Sequence, residues 1–232
     1  MPVKSKFNWP TFFSGLAAGS LIASFLRRKE SHFDRLPGRE IWQRTLAHQA
    51  GDVPAAITLG KVQARYHDLL RDRPQFAHPA LNGHLERSIL PGLALYQVLR
   101  EETGDEALAK ARTGLLLDEK ARQKYAAIQR LSNLPFFFSF FRFGVKRMMA
   151  IDFPPAGWEI EWVRDDGEAL AFSIKSCFYL KVLTAYGVPD LTPIFCHMDE
   201  AGMDGFTSLV SERTTTLGRG GAACDFCYRR VN

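Results

Sequence analysis

The sequence predicts an α+β protein: a helical amino-terminal half, then a small antiparallel sheet with two short helices inserted. Two observations predict this. Apolar residues recur at helical spacing from about residue 55 to about residue 150, and from Trp158 the period changes to two. A third observation adds an amino-terminal hydrophobic helix, because Phe7 to Leu26 is twenty residues without a charge. The 232 residues suit one well-cored domain plus an appendage. The division expected is a hydrophobic helix over 1–29 and a single α+β domain over 30–232.

The first segment lies between Lys4, Lys6 and the heavier cluster Arg27, Arg28, Lys29. Twenty helical residues rise about 30 Å, enough to span a bilayer. Gly15 and Gly19 form a pair of small residues of the kind that lets membrane helices approach. The basic excess on the carboxyl side places the body in the cytoplasm. The expected location is therefore membrane-associated with a cytoplasmic domain, the alternative being a soluble cytoplasmic protein whose first helix docks on the core.

In residues 30 to 53, Pro37-Gly38 marks a break, and Trp42 and Leu46 are anchors at i, i+4. Ala55 to Arg71 reads as a helix. Leu81 to Glu101 carries Leu85, Ile89, Leu93, Tyr96 and Leu99 at helical spacing, with Pro91 as a kink or break. His84 and Glu86 near it read as structural. Gly104-Asp105 starts a helix to Leu116, and Lys120 to Leu131 follows as a second, basic one. Pro135 to Met149 interleaves six phenylalanines with Arg142, Lys146 and Arg147, the composition either of a membrane-interface contact or of a buried helix with a polar end.

Trp158, Ile160 and Trp162 alternate with polar residues, Asp165-Asp166-Gly167 makes a turn, and Leu170, Phe172 and Ile174 resume the alternation. That pattern is a hairpin with one buried face. Cys177 to Tyr186 and Val188 to about Glu200 read as short helices. Strands over Phe206 to Thr216 and Ala222 to Arg230 are joined through Gly218-Arg219-Gly220-Gly221.

Chemistry concentrates between Thr192 and Arg229. Three of the four cysteines lie here, with Cys177 just upstream. On a helix Cys196 and Asp199 share a face, and on a strand Cys224 and Asp225 point to opposite faces. Four cysteines in a chain of this size suit free thiols in a reducing compartment better than a disulfide framework. A thiolate nucleophile fits them, since sulfur attacks an electrophilic carbon once its pKa is lowered. A zinc or iron–sulfur site is the competing reading, but Cys224-Asp225-Phe226-Cys227 sits in a strand-like run and lacks the turn a knuckle needs. Arg213 on a strand needs an anion, either Asp199, Asp225 or a substrate carboxylate. The net charge of +5 suits anionic lipid as well as nucleic acid, and no nucleic-acid motif accompanies it.

Cys177, Gly187-Val188-Pro189-Asp190-Leu191, Cys196-x-x-Asp199, Arg213-Thr214-Thr215-Thr216-Leu217, Gly220 and Cys224-Asp225-Phe226 resemble the L-2-amino-thiazoline-4-carboxylic acid hydrolase family. Upstream, Ile89 to Tyr96 is similar to that family's helical half. The resemblance implies hydrolytic opening of a cyclic amidine, giving an N-carbamoyl cysteine. The substrate expected is a small carboxylate, with no cofactor and no metal. The catalytic candidates the resemblance carries are Cys177, Cys196, Asp199, Cys224 and Asp225; Arg213, Thr216 and Arg219 are candidates for substrate binding. Two other classes stay open: a membrane-anchored binding or accessory protein without turnover, and a metal-dependent hydrolase using the Cys/Asp cluster as ligands.

Overall fold

The structure is a computed structural model that describes residues 35–231. The expected hydrophobic helix over Phe7 to Leu26, and with it the membrane anchor over 1–29, lies outside the described residues. Among the described residues no helix is long and apolar enough to cross a membrane.

The helical half consists of α1 (Arg39–Ala50), α2 (Asp52–Arg71), α3 (Pro79–His84), a π turn (Leu85–Ile89), α4 (Leu90–Thr103), α5 (Glu106–Gln129) and α6 (Phe137–Asp152). Trp42 and Leu46 are buried as expected, and the Trp42 indole donates to the Leu116 carbonyl at 2.9 Å, pinning α1 to α5. Pro91 leaves its mark as a widened turn. It has no N–H for the Arg87 carbonyl one turn earlier, and the π turn makes room for its ring. The Lys120 ammonium donates to that carbonyl instead, at 3.2 Å.

The break expected between Leu116 and Lys120 is absent, and α5 runs through it. Leu117, Asp118 and Glu119 contain no helix breaker, and Leu116, Leu117 and Ala121 are all buried. The Asp105 carboxylate caps the start by accepting the Leu108 N–H at 3.0 Å.

The second half contains β1 (Glu159–Asp165), β2 (Ala169–Ser176), α7 (Phe178–Ala185), α8 (Thr192–Met203), β3 (Leu209–Glu212) and β4 (Cys224–Arg230). The sheet order is β1-β2-β4-β3, antiparallel throughout. Leu170, Phe172 and Ile174 face the core as the alternation predicts, and Phe172 stacks on Phe226 at 4.9 Å. In β1 the alternation holds only as far as Trp162, and little of it is buried. Ile160 and Trp162 do pair with the core-facing Ile174 and Phe172, and Trp162 meets the Phe172 ring at 5.2 Å. But β1 is the edge strand, so Trp162 stays exposed, and the register slips beyond it; Trp158 is buried ahead of the strand.

His84 ties α3 to the rest: its ring nitrogens meet the Tyr179 hydroxyl at 3.0 Å and the Asp152 carbonyl at 2.9 Å. Burial pushes its pKa down to about 4, which makes it a neutral structural linker. Helix α8 sits where the halves meet. A Cβ on Gly92 of α4 would lie 2.6 Å from the Phe195 ring, and one on Gly202 would lie 2.8 Å from the Tyr125 ring of α5. These glycines set how closely α8 approaches its neighbours.

Candidate active site

Helix α8 begins as a 3-10 turn at Pro189–Leu191 and has Pro193 in its first turn, where a missing N–H costs nothing. Its spacing puts Cys196, Asp199 and Glu200 on one face. Arg213, just past β3, lies across that face. Its Nε and Nη2 donate to Glu200 Oε1 at 3.2 and 2.6 Å, Nη2 also donates to the Cys196 carbonyl, and Nη1 reaches Asp199 Oδ2 at 3.5 Å. The guanidinium carbon stands 4.8 Å from the centre of the Phe226 ring. With its side chain only 3% exposed, Arg213 is buried with all three of its nitrogens engaged.

Asp199 has the opposite surroundings. Its side chain keeps 54% of its accessible surface, yet desolvation, the largest influence on it, pushes its pKa up to about 6 against the pull of Arg213 and Lys124. Protein lies on one side of this carboxylate, whose charge acts on Cys177, Tyr179, Cys196 and Tyr228, while its other side stays open to water, and this half-open place forms a shallow recess. The 3.5 Å contact to Arg213 is too long to compensate fully.

Three thiols converge on the same place. Cys196 feels Asp199, Arg213 and Cys177, and Cys224 feels Cys196, Cys177 and Arg213. Cys196 is enclosed. A Cβ on Gly218 would lie 2.9 Å from its sulfur, and the buried Thr216 hydroxyl opposes the rise in its pKa that burial causes. The Cys224 sulfur accepts the Leu217 N–H at 3.2 Å, and burial pushes it up to about 11. Cys177 is half-buried as a residue, where Cys196 and Cys224 are buried. It stands at the start of α7, where the Tyr179 and Leu180 N–H groups and Lys181 oppose the rise that burial causes.

A family model described as L-2-amino-thiazoline-4-carboxylic acid hydrolase matches residues 82–228. The chain belongs to this family. No curated protein and no solved structure matches the chain. The matched span runs from α3 into β4, so it includes the whole recess and leaves α1 and α2 outside. The family name is that of a hydrolase of an aminothiazoline carboxylate, in keeping with a small carboxylate as the substrate class.

In this hydrolase-family chain, then, Cys177, Cys196, Asp199, Arg213 and Cys224 come together, with the buried Thr216 beside Cys196. Arg219 stands at the rim, about half exposed, with one long contact to Glu200 at 3.6 Å. Asp225 is apart from them. Its carboxylate accepts the Thr214 N–H at 3.0 Å, the Thr215 N–H at 2.7 Å and the Thr214 hydroxyl, and these donors hold its pKa below the ordinary range although burial opposes them. Among the described residues no group of three or more His, Cys, Asp and Glu is placed to hold a metal ion.

Sequence reasoning missed Glu200, the principal partner of Arg213. The signal was available: Glu200 is one helical turn past Cys196 on the side of Asp199, and a buried arginine demands an anion. Lys124 of α5, the second cation acting on Asp199, carried no sequence signal.

Proposed function

We propose that the recess around Asp199 opens the ring of a 2-amino-thiazoline carboxylate by hydrolysis, with Asp199 as general acid and base. The observation that carries this reading is an accessible carboxylate sharing a helix face with Cys196 and acting on Cys177, in a chain of this hydrolase family; desolvation raises its pKa to about 6, towards the operating pH at which proton transfer is most effective. In the protonated form it donates to the ring nitrogen; in the ionised form it takes a proton from the nucleophile.

Of the three thiols, Cys177 is best placed to attack. Its sulfur bonds to the amidine carbon, the C=N electron pair moves to the ring nitrogen, and the thiol proton passes through Asp199 to that nitrogen. Collapse expels the ring sulfur as a thiol that takes its proton from the exocyclic amino group, now C=NH, so the ring C–S bond opens while the C–N bond remains. Water then attacks the same carbon, giving up a proton to Asp199, and Cys177 leaves with a proton. The product is an N-carbamoyl cysteine. Because Arg213 spends its donors on Glu200, Asp199 and Cys196, the half-exposed Arg219 at the rim is assigned to the substrate carboxylate. Arg213 positions Asp199.

A second reading rests on the raised pKa of all three thiols: water attacks directly with Asp199 as base. Turnover of L-2-amino-thiazoline-4-carboxylate, followed by thiol release, tests both. Asp199→Asn loses about 10²–10⁴-fold in either case. A comparable loss in Cys177→Ala selects the covalent route, and retained turnover selects water. Wild-type turnover by Asp199→Asn would overturn the assignment.

A further inference from the structure

The surface of α6 has no role in the recess and is unlike the other helical surfaces. Its inner side packs on the sheet: Phe137 and Phe138 are buried, and Phe141 stands edge-on to Tyr228 at 5.1 Å. Its outer side carries Phe140 and Phe143 with Arg147, at i, i+3 and i+7 on one face. Phe136 precedes them at the helix start. These three rings are 79% (Phe136), 50% (Phe140) and 60% (Phe143) exposed, and Leu131 and Leu134 just ahead are exposed as well. Phe136 has φ 65°, a left-handed conformation that a bulky residue adopts at a cost, and it aims the ring at solvent.

Beside the rings lies a cleft of about 530 Å³ lined by Ser139, Arg142, Phe143, Lys146, Arg147 and Asp165, among others. Asp165 is the acidic group there, and it is engaged by both Arg142 and Lys146. Arg147 adds a further exposed cation. The cleft is therefore net positive at the edge of an aromatic face.

We propose that the outer face of α6 seats this protein on an anionic lipid bilayer, with the phenylalanine rings in the acyl boundary and a lipid headgroup against Arg142, Lys146 and Arg147. Aromatic residues on one face with basic residues beside them suit a lipid interface. A second copy suits the face less well, because a two-fold contact would bring the same cations against themselves.

Vesicle co-sedimentation with the full chain tests this, using phosphatidylcholine alone or mixed with phosphatidylserine. The expected result is binding to the mixed vesicles that weakens with added salt. The combined variant Phe136→Asn, Phe140→Ser, Phe143→Ser should bind roughly a hundredfold more weakly. Arg147→Glu should lose roughly tenfold or more on phosphatidylserine vesicles and little on phosphatidylcholine. These side chains are exposed, so thermal unfolding and aminothiazoline turnover should stay as in the wild type. The proposal is overturned if the wild type does not bind, or if the triple-ring variant binds equally, which would assign binding to another part of the chain. It also fails if the wild type forms a dimer that the ring variant abolishes while neither protein binds vesicles.

Discussion

Two aspartates of the same motif, Asp199 on α8 and Asp225 on β4, have been given opposite surroundings. Asp225 is surrounded by donors from Thr214 and Thr215, which hold it ionised and fasten the segment after β3 to β4. Asp199 has one long contact to Arg213 and protein on one side only, and its pKa rises. A carboxylate with all its hydrogen bonds made is a fastener; one left short of them in a concave, protein-lined place is able to exchange protons. The same contrast separates the two arginines, with Arg213 buried and fully engaged and Arg219 exposed and nearly free.

The largest effect expected from breaking this contrast is on turnover. Asp199→Asn should lower kcat/KM about 10²–10⁴-fold, equivalent to roughly 3–5 kcal/mol of transition-state stabilisation, in a steady-state assay. Its effect on folding should have the opposite sign. The folded pKa of about 6 lies above the ordinary 3.8, so between these values the folded protein holds a proton that the unfolded chain has lost. Stability from this group is therefore greater below that window and falls as pH rises through it. The melting temperature of Asp199→Asn at neutral pH should be no lower than that of the wild type. Activity should show the same ionisation: kcat/KM should fall about tenfold per pH unit below about pH 6, and the limb should vanish in the residual activity of Asp199→Asn.

Next in size is the loss of Arg213. Arg213→Lys keeps the charge but loses the planar fork that spans Glu200, Asp199 and the Cys196 carbonyl over the Phe226 ring. It should cost about 2–4 kcal/mol of stability in denaturant titration, because the guanidinium is buried. A substrate-binding defect with unchanged stability would show instead that Arg213 faces the ligand. Gly218→Ala should cost about 1–3 kcal/mol, since its Cβ would press on the Cys196 sulfur and on the backbone nitrogen of Pro193 at 3.2 Å.

The smallest change is expected at the fastening aspartate. Asp225→Ala removes the acceptor for two backbone N–H groups that water can reach, so a loss of about 1–2 kcal/mol is expected in the melting transition. The kcat of the fraction that remains folded should be unchanged. A fall in kcat comparable with that of Asp199→Asn would erase the distinction between the two aspartates.

Local properties of this protein were legible in the sequence. The change of period near Trp158 placed the sheet, Asp105 was a readable helix start, and Trp42 and Leu46 were readable anchors. The spacing of Cys196 and Asp199 guaranteed a shared face, because helical geometry over one turn admits no other outcome. What spans many residues was decided by tertiary packing alone: the unbroken α5, the exposure of Trp162, the choice of Glu200 over Asp225 as partner of Arg213, and the seclusion of Cys196 behind Gly218. The physical reason is the same in each case. Spacing fixes directions within one element, whereas desolvation and ion pairing depend on distances between elements that only the packed core sets. Two aspartates that read alike in the chain differ in pKa because one was packed against donors and the other was left facing a recess.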